Sequence, residues 1–474
     1  MTTAPWLSLL PPLLTIAIAI WSRKIIPSLL AGLLLGGYLL DMRVTGGFEV
    51  AVDQIVSTLT DKSNLQVLLF LYLFSGLMGI IKKSGGIEAF SSLAGKHVTS
   101  EKGVFYLLWA LIPVTFIDCG FRVVGAGSIV RPLAEKQKIA SERLAFMLNN
   151  TASPIVELIP LATTFIGFNI AIITLGLKSA GVGDQFNAYS IWLKAIPLEF
   201  FSLAIILITF LSVFFNVRRG QKGHTTHASH AKPAESPMTM EAVEPVIAPR
   251  LVNLVFPMLT VITLSMFFFW YFGAKRSTNS SVISAITNGD PNRAMLVALF
   301  IALFITATCY AFQKYGIKEI TSDIISGGNE IIPTLAILAI AWPLASVSQA
   351  LGLNTFIEHV IGSSLPVWSV AVTLFILSAT VTYFIGSGWG AASLIMPFAI
   401  PLAVSVGAGI PLCVAAVITG GTFGDVTSPV AGMTNMSSRI AHADHAKYLR
   451  YAAPYNFGAA GIAIILYVVA GLLS

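Results

Sequence analysis

The sequence predicts an all-α polytopic membrane protein of about 11–12 spans, built from two inverted-topology repeats. Three observations carry that prediction. Of the 474 residues, 55% are hydrophobic and only 11% are charged, against roughly 25% charged in an average soluble domain, and the mean hydropathy is +0.82. The apolar residues gather into runs close to the ~20 residues that one helical crossing of a bilayer needs. Segments of the first half also recur, in order, in the second.

Composition excludes several classes at once. A soluble fold is excluded by the charge deficit. The 28 Lys and Arg against 22 Asp and Glu give a net +6, but the excess lies in short segments between apolar runs, so nucleic acid is not an expected partner and the lipid bilayer is. Cys119, Cys309 and Cys413 lie in apolar surroundings without CxxC spacing, so neither a disulfide framework nor a zinc site is expected, and no cofactor is. No basic segment precedes the first apolar run and no small-residue cleavage site follows it, which reads as a retained span rather than a signal peptide.

Taken in order, the runs fall at about 6 to 21, 25 to 40, 65 to 81, 104 to 117, 144 to 177, 190 to 215, 251 to 273, 294 to 313, 332 to 351, 366 to 385, 389 to 424 and 451 to 473. Those at 144 to 177 and 389 to 424 are too long for one crossing and are interrupted by Pro and Gly, as in hairpins or broken helices. The chain then divides into N-terminal spans and a loop (1–64), a first transport repeat (65–215), a linker (216–250), connecting spans (251–331) and a second repeat (332–474). The linker carries Arg218, Arg219, Lys222, Lys232 and Arg250, and Lys82, Lys83, Lys96 and Lys102 follow the third run, which places both on the cytoplasmic side of a plasma membrane. Lys314 and Lys318 place the segment before residue 332 inside as well, although Lys275, Arg276 and Arg293 weaken the contrast. The Ala, His, Pro and charged composition of the linker reads as disordered, with His224, His227 and His230 as solvated loop residues.

Self-comparison supplies the repeat. Phe74 to Phe90 aligns with Ile340 to Phe356 at a spacing of 266 residues, GSIVRP from Gly127 matches ASLIMP from Ala392 at 265, and ASPI from Ala152 matches TSPV from Thr427 at 275. With the orientation above, the run at 65 starts outside and the run at 332 starts inside. Inverted copies with interrupted helices at matching positions are the mark of a secondary transporter, with its site near the midplane.

Charged and polar residues in the interrupted segments are the candidate site. Asp118, Arg122, Arg131 and Glu157 stand in apolar or small-residue context, where a charge at the helix centre costs ~2.5–3.5 kcal/mol on insertion scales and so requires a partner, water or a function. Asp118 and Arg122, one turn apart, are alternatively a structural ion pair, and Arg131 alternatively snorkels to the interface. Asn149, Asn150, Thr151 and Ser153 precede Pro154, where a missing backbone hydrogen bond frees carbonyls for a cation or helix ends for an anion; a kinked helix whose polar groups rejoin the backbone is the competing reading. In the second copy, Ser387 lies between Gly386 and Gly388, and Asp425 is the single acid of a long apolar region, followed by Thr427, Ser428, Pro429, Thr434 and Asn435. Low dielectric favours the neutral form of a carboxyl group, so such a residue can trade a proton for a metal cation. His442 and His445, three apart in HADHAKYLR, suit a pH sensor or a weak metal site, or else an interfacial turn. Gly32 and Gly36 form a GxxxG too common in membrane helices to assign.

These motifs resemble those of the NhaC-type Na+/H+ antiporters of the ion-transporter superfamily, over roughly residues 65 to 460. The strongest likeness is GTFGDVTSPVAGMTNMSSRIAHADHAKYLRYAAPY from Gly421; FIDCG at Phe116 and SERLAFMLNNTASP from Ser141 are similar to the acidic hairpin motif and the segment after it. The resemblance implies re-entrant hairpins and broken helices in each repeat, often a homodimer, and a transport domain that moves as an elevator. It implies ion-binding roles for Asp118, Thr151, Ser153, Asp425 and Ser428, with Na+ at Asp118 and Asp425. Asn149 and Gly432 stand where acids are expected, and Arg122 adds a cation, departures that favour an organic solute carrying a carboxylate.

The reading is therefore Na+/H+ antiport by alternating access, with Na+ and H+ as cargo and coupling ions. Asn149, Asn150, Thr151, Ser153, Glu157, Ser387, Thr427, Ser428, Thr434 and Asn435 are the further ion- or substrate-binding candidates. The alternative is Na+- or H+-coupled transport of a small carboxylate or amino acid, with Arg122 on the substrate carboxylate. A membrane enzyme has little support, since no HExxH occurs and the GSG at Gly386 has no identifiable base; a channel fits a duplicated midplane site less well.

Overall fold

The computed structural model describes residues 5–43, 45–86, 89, 98, 100–116, 118–160, 163–214, 246–275, 290–357 and 365–473. Among these residues the secondary structure is helical throughout, with no strand. Most of the linker, including His224, His227 and His230, lies outside the described residues, as does Arg276.

A 3-10 turn, Pro5–Leu9, leads into α1 (Leu10–Ser22), α2 (Ile25–Leu40), α3 (Gly46–Thr60) and α4 (Lys62–Lys82). Asp61 starts α4 by accepting the amides of Ser63 and Asn64 at 3.0 Å each, satisfying two of the donors a helix start leaves open. Next come α5 (Glu101–Ala110), α6 (Ile112–Thr115) and α7 (Cys119–Lys136). The 144 to 177 run folds as three pieces: α8 (Ser141–Asn150), α9 (Ser153–Leu158) and α10 (Thr164–Ser179). Pro154 cannot donate to the preceding turn, which ends α8 and starts α9 afresh. α11 (Ala188–Ala195) and α12 (Phe200–Phe214) are separated by the turn Ile196–Leu198 and bent by 44°.

The second half holds α13 (Val252–Ala274), α14 (Pro291–Phe312), α15 (Ile317–Glu330), α16 (Ile332–Ala350) and α17 (Leu353–Phe356). It ends with α18 (Val367–Ile385), α19 (Gly388–Val406), α20 (Ile410–Thr427), α21 (Gly432–Ile440) and α22 (His445–Leu473). The 389 to 424 run is thus α19 and α20, divided at Gly407, whose φ of 78° no L side chain adopts readily.

Eight of the described helices are long and apolar enough to cross a bilayer, or nine if the bent α11–α12 pair is one span. Against the expected 11–12 spans this is eight or nine; three further apolar helices, Trp6–Ser22, Ile25–Leu40 and Thr164–Ser179, are shorter. α20 is the most enclosed of the eight, with 89% of its apolar window buried, and so forms the central helix. Lipid supplies no hydrophobic force between helices, so close approach depends on small residues. A Cβ at Gly420 would meet the Phe375 carbonyl and one at Gly424 would meet Thr382, both on α18. The glycines at 32 and 36 serve packing within the chain, against Thr15 and Pro11 of α1 and Val347 of α16. α15 lies along α4, where Gly79 meets Gly327, Ser75 donates to the Gly327 carbonyl at 2.6 Å, Lys82 pairs with Glu330 at 2.6 Å and Lys83 pairs with Asp323.

The two halves follow the same order of elements. α4 and α16 are each followed by a left-handed glycine, Gly85 (φ 73°) and Gly352 (φ 92°). A helical hairpin then ends in an N-capping side chain, Asp118 before α7 and Ser387 before α19, and a broken helix follows, α8–α9 in one half and α20–α21 in the other. Matched by left-handed backbone, Gly85 rather than Gly86 corresponds to Gly352, and matched by the starts of α7 and α19, Pro132 corresponds to Pro401 rather than Pro397. The difference at the proline is one helical turn, a slip that apolar sequence does not penalise.

Candidate functional site

Asp425 stands in the last turn of α20, facing the start of α19. Its Oδ1 accepts the amide of Gly388 at 2.8 Å, one of the donors that α19 leaves open, and the positive end of that helix favours an anion there. The approach depends on glycine: a Cβ at Gly388 would lie 2.7 Å from Asp425 Oδ2 and 3.0 Å from the Gly421 carbonyl. Ser387 caps the same helix by accepting the Gly390 amide at 3.1 Å, so it orients α19 beside the carboxylate. Behind it, Gly386 (φ 77°) brings the turn against the Val430 carbonyl in the break between α20 and α21.

Asp425 opens into a small cleft walled by Phe165, Phe168, Asn169, Trp389 and Thr422, with room for about one water molecule. Trp389 stacks on Phe168 at 4.7 Å and meets Phe165 edge-on at 5.8 Å. Asn169 is buried, and its Nδ2 has no hydrogen-bond partner.

Two of the sequence-predicted acids, Glu157 and Asp425, come together, and Asp118 caps the neighbouring hairpin helix. Glu157, on α9, is fully buried and accepts the hydroxyls of Ser202 and Thr422; Thr422 also walls the cleft and so links Glu157 to Asp425. Asp118 is half-buried and caps α7 by accepting the Phe121 amide at 2.9 Å. The Cys119 thiol is within electrostatic reach of Asp118, Glu157 and Asp425 together. A fourth acid, Glu199, was not singled out in the sequence, although it is the only acid of the 190 to 215 run; it is fully buried and neither carboxylate oxygen has a partner.

Arg122 is held by protein acceptors rather than by the alternative ion pair with Asp118. No ion pair joins it to Asp118 among the described residues. Fully buried, it donates from Nε to the Thr151 carbonyl (3.0 Å), from Nη1 to Thr115 Oγ1 (2.7 Å), and from Nη2 to the Leu108 carbonyl (2.9 Å) and Thr151 Oγ1 (3.2 Å). Four of its five donors are spent on α5, α6 and the α8–α9 break, because Thr151 and Leu108 carbonyls at broken helix ends need donors of their own. Arg131 contacts His442 at 3.1 Å and Glu135 at 3.7 Å near the surface.

The polar residues of the first break are largely engaged by protein. Asn149 donates to the Val426 carbonyl (3.1 Å) and the Tyr448 hydroxyl (2.6 Å), and accepts from Ser437 (3.4 Å). Asn150 donates to Asn456 (3.1 Å), which donates to Val426 in turn (2.9 Å), leaving Asn150 Oδ1 without a partner. Thr151 returns its hydroxyl to Met147 (2.7 Å), and Ser153 is buried against Cys119. In the second break Ser428 donates to the Tyr383 carbonyl (2.6 Å), Thr434 to the Ser428 carbonyl (2.7 Å) and Asn435 to the Ala431 carbonyl (2.9 Å), while the buried Thr427 Oγ1 has no partner. His442 and His445 do not converge: His445 contacts Ser438 (3.0 Å) and the Pro429 carbonyl (2.9 Å), and no group of three His, Cys, Asp or Glu suited to a metal ion occurs among the described residues.

Residues 155–472 match the model of the Na+/H+ antiporter family, a stretch that includes Glu157, Glu199 and Asp425 and begins after Asp118, Arg122 and Ser153. An uncharacterized protein of Haemophilus influenzae is 26% identical over 478 residues, covering 98% of this chain and 90% of that one. Among solved structures, the fold is similar to that of MtrF of Neisseria gonorrhoeae (TM-score 0.59, 14% identity, 89% of this chain and 84% of that one). It is equally similar to the YdaH transporter of Alcanivorax borkumensis (TM-score 0.59, 14% identity, 98% of each chain). With apolar spans surrounding buried acids, and a family match over most of its length, this multi-pass membrane protein is a secondary transporter and belongs to the Na+/H+ antiporter family.

Proposed function

We propose that the protein exchanges Na+ for H+ across the plasma membrane by alternating access to a midplane site centred on Asp425. The observation that carries this reading is the placement of Asp425, an acid on the central helix, held by a helix-start amide in a cleft of about one water's volume. That space suits a proton or a dehydrated monovalent cation. Thr422 Oγ1 and the Gly421 carbonyl, from residues that line the cleft with Asp425, are the ligands we assign to the cation beside the carboxylate.

Exchange follows from the charge balance. A buried carboxylate left bare in low dielectric is costly, so the conformational change is favourable only with a proton or a cation bound. The two ions compete for one group, and occupancy by either permits passage. Hairpin ends and helix breaks move relative to the rest as an elevator, and the family's homodimer would supply the fixed part.

A second reading, coupled transport of a small carboxylate or amino acid, is favoured by one observation: the unpartnered Asn169 Nδ2, a donor that only an acceptor such as a carboxylate satisfies, beside the Phe168–Trp389 stack. MtrF is described with a class of antimetabolite efflux pumps. In this reading Asn169, rather than the engaged Arg122, meets the solute.

Proteoliposomes containing an internal pH dye test the two. Addition of Na+ or Li+ is expected to drive proton movement that falls to background in Asp425→Asn, with K+ silent. Absence of a cation response in the wild type, together with accumulation of one amino acid or carboxylate under a Na+ or H+ gradient and its loss in Asn169→Leu, would replace antiport by the second reading.

A further inference from the structure

We propose that Glu157 and Glu199 form a second ion site, separate from Asp425, at which one proton is released for each monovalent cation bound. The proposal rests on the exchange reading above and adds a carboxylate pair to it.

Glu199 occupies the single-residue gap between the turn Ile196–Leu198 and α12, at the 44° bend. It is fully buried and both of its carboxylate oxygens lack partners. Ser202 follows three residues later, in the first turn of α12, and its hydroxyl reaches Glu157, so the start of α12 brings Glu199 beside Glu157 of α9. The two carboxyl groups are within electrostatic reach of each other. Thr422 of α20 closes another side through its hydroxyl bond to Glu157. From α22, Tyr467, hydroxyl-bonded to Thr419 at 2.8 Å, lies within reach of both acids. On the Glu157 side, the other titratable groups within electrostatic reach are Asp425 from α20 and Cys119 from α7. Among the described residues, no Lys, Arg or His forms an ion pair with either acid.

Two carboxylates side by side in a low-dielectric interior cannot both be bare. With at most one cation at the site, the neutral states open to them are two: both groups protonated, or one protonated and the other carrying a bound cation. Passing from the first to the second breaks one O–H bond, sends its proton to water and places a cation on the vacated carboxylate, so the net charge of the site is unchanged. Oxygen ligands are in place for the cation, from Glu157, Glu199 and the hydroxyls of Ser202 and Thr422. The site differs from the Asp425 cleft in that it has a partner acid in place of a helix-start amide, and hence keeps one proton throughout.

The test uses the purified full-length protein in N-methylglucamine buffer, to which NaCl is added while proton release is followed with a pH dye and the protonated-carboxyl band by infrared difference spectroscopy. In the wild type, Na+ is expected to release protons and bleach that band. Asp425→Asn retains about half of each signal, Glu199→Gln and Glu157→Gln each retain the other half, and Asp425→Asn combined with Glu199→Gln abolishes both. Glutamine replaces a neutral acid isosterically, so the single variants are expected to match wild type in gel-filtration profile and melting temperature without Na+; should one not fold, the other carries the same prediction. Complete loss of both signals in Asp425→Asn alone, or full retention in Glu199→Gln and Glu157→Gln, overturns the second site while leaving exchange at Asp425 standing. No release from the wild type overturns both.

Discussion

Arg122 shows how the surroundings of a single residue redefine it. In the sequence it is a cation four residues from Asp118; in the fold it is a bracket across three helix ends, with donors to the Thr151 and Leu108 carbonyls and to Thr115. Arg122→Met is expected to leave those buried acceptors unsatisfied, at about 1–3 kcal/mol for each group. Its melting temperature falls, measured by gel filtration after heating, with cargo preference among folded molecules unchanged. A change of cargo at unchanged stability would return Arg122 to the site. Asp425 and Glu199 illustrate the opposite, since each is the lone acid of an apolar run. Asp425 was legible because glycines and a Thr-Ser-Pro surround it, whereas Glu199 has no flanking motif and only its missing partners mark it.

At the scale of elements, apolar runs located the helices well. Hydropathy and proline act locally, so the breaks at Thr151 and Ser428 follow directly from the chain. α3, α7, α15, α17 and α21 were not among the apolar runs because polar and small residues interrupt their apolar ones; Asp323 and Glu330 of α15 find their partners on α4. The contact of α19 with α20 is the element-scale feature on which the site depends. Gly388→Ala is expected to push the helix start off Asp425, with a stability cost of ~1–3 kcal/mol from overpacking and a near-complete loss of Na+-driven proton flux. Unimpaired flux in a folded Gly388→Ala protein would separate the hairpin end from the ion.

At the scale of the whole molecule, the order hairpin, capping residue, broken helix occurs in both halves, and the proposed inverted relation of the halves fixes which loops face the cytoplasm. A Cys introduced at Ser229 is expected to react with a membrane-impermeant maleimide only after cells are permeabilised; labelling of intact cells would reverse the assigned orientation. Many spans, the breaks, the acids Asp118, Glu157 and Asp425 and the family likeness were legible in the amino-acid order because hydropathy, proline and local motifs are read over a few residues. Which polar groups remain for a ligand was settled only by tertiary structure. Asn149 is spent on Val426 and Tyr448, and Asn150 on Asn456, partners 277, 299 and 306 residues away, while Glu199 and one oxygen each of Asn150 and Thr427 are left unpaired. A side chain's availability is the remainder after every neighbour in space has been served, and those neighbours are brought together only when the helices pack.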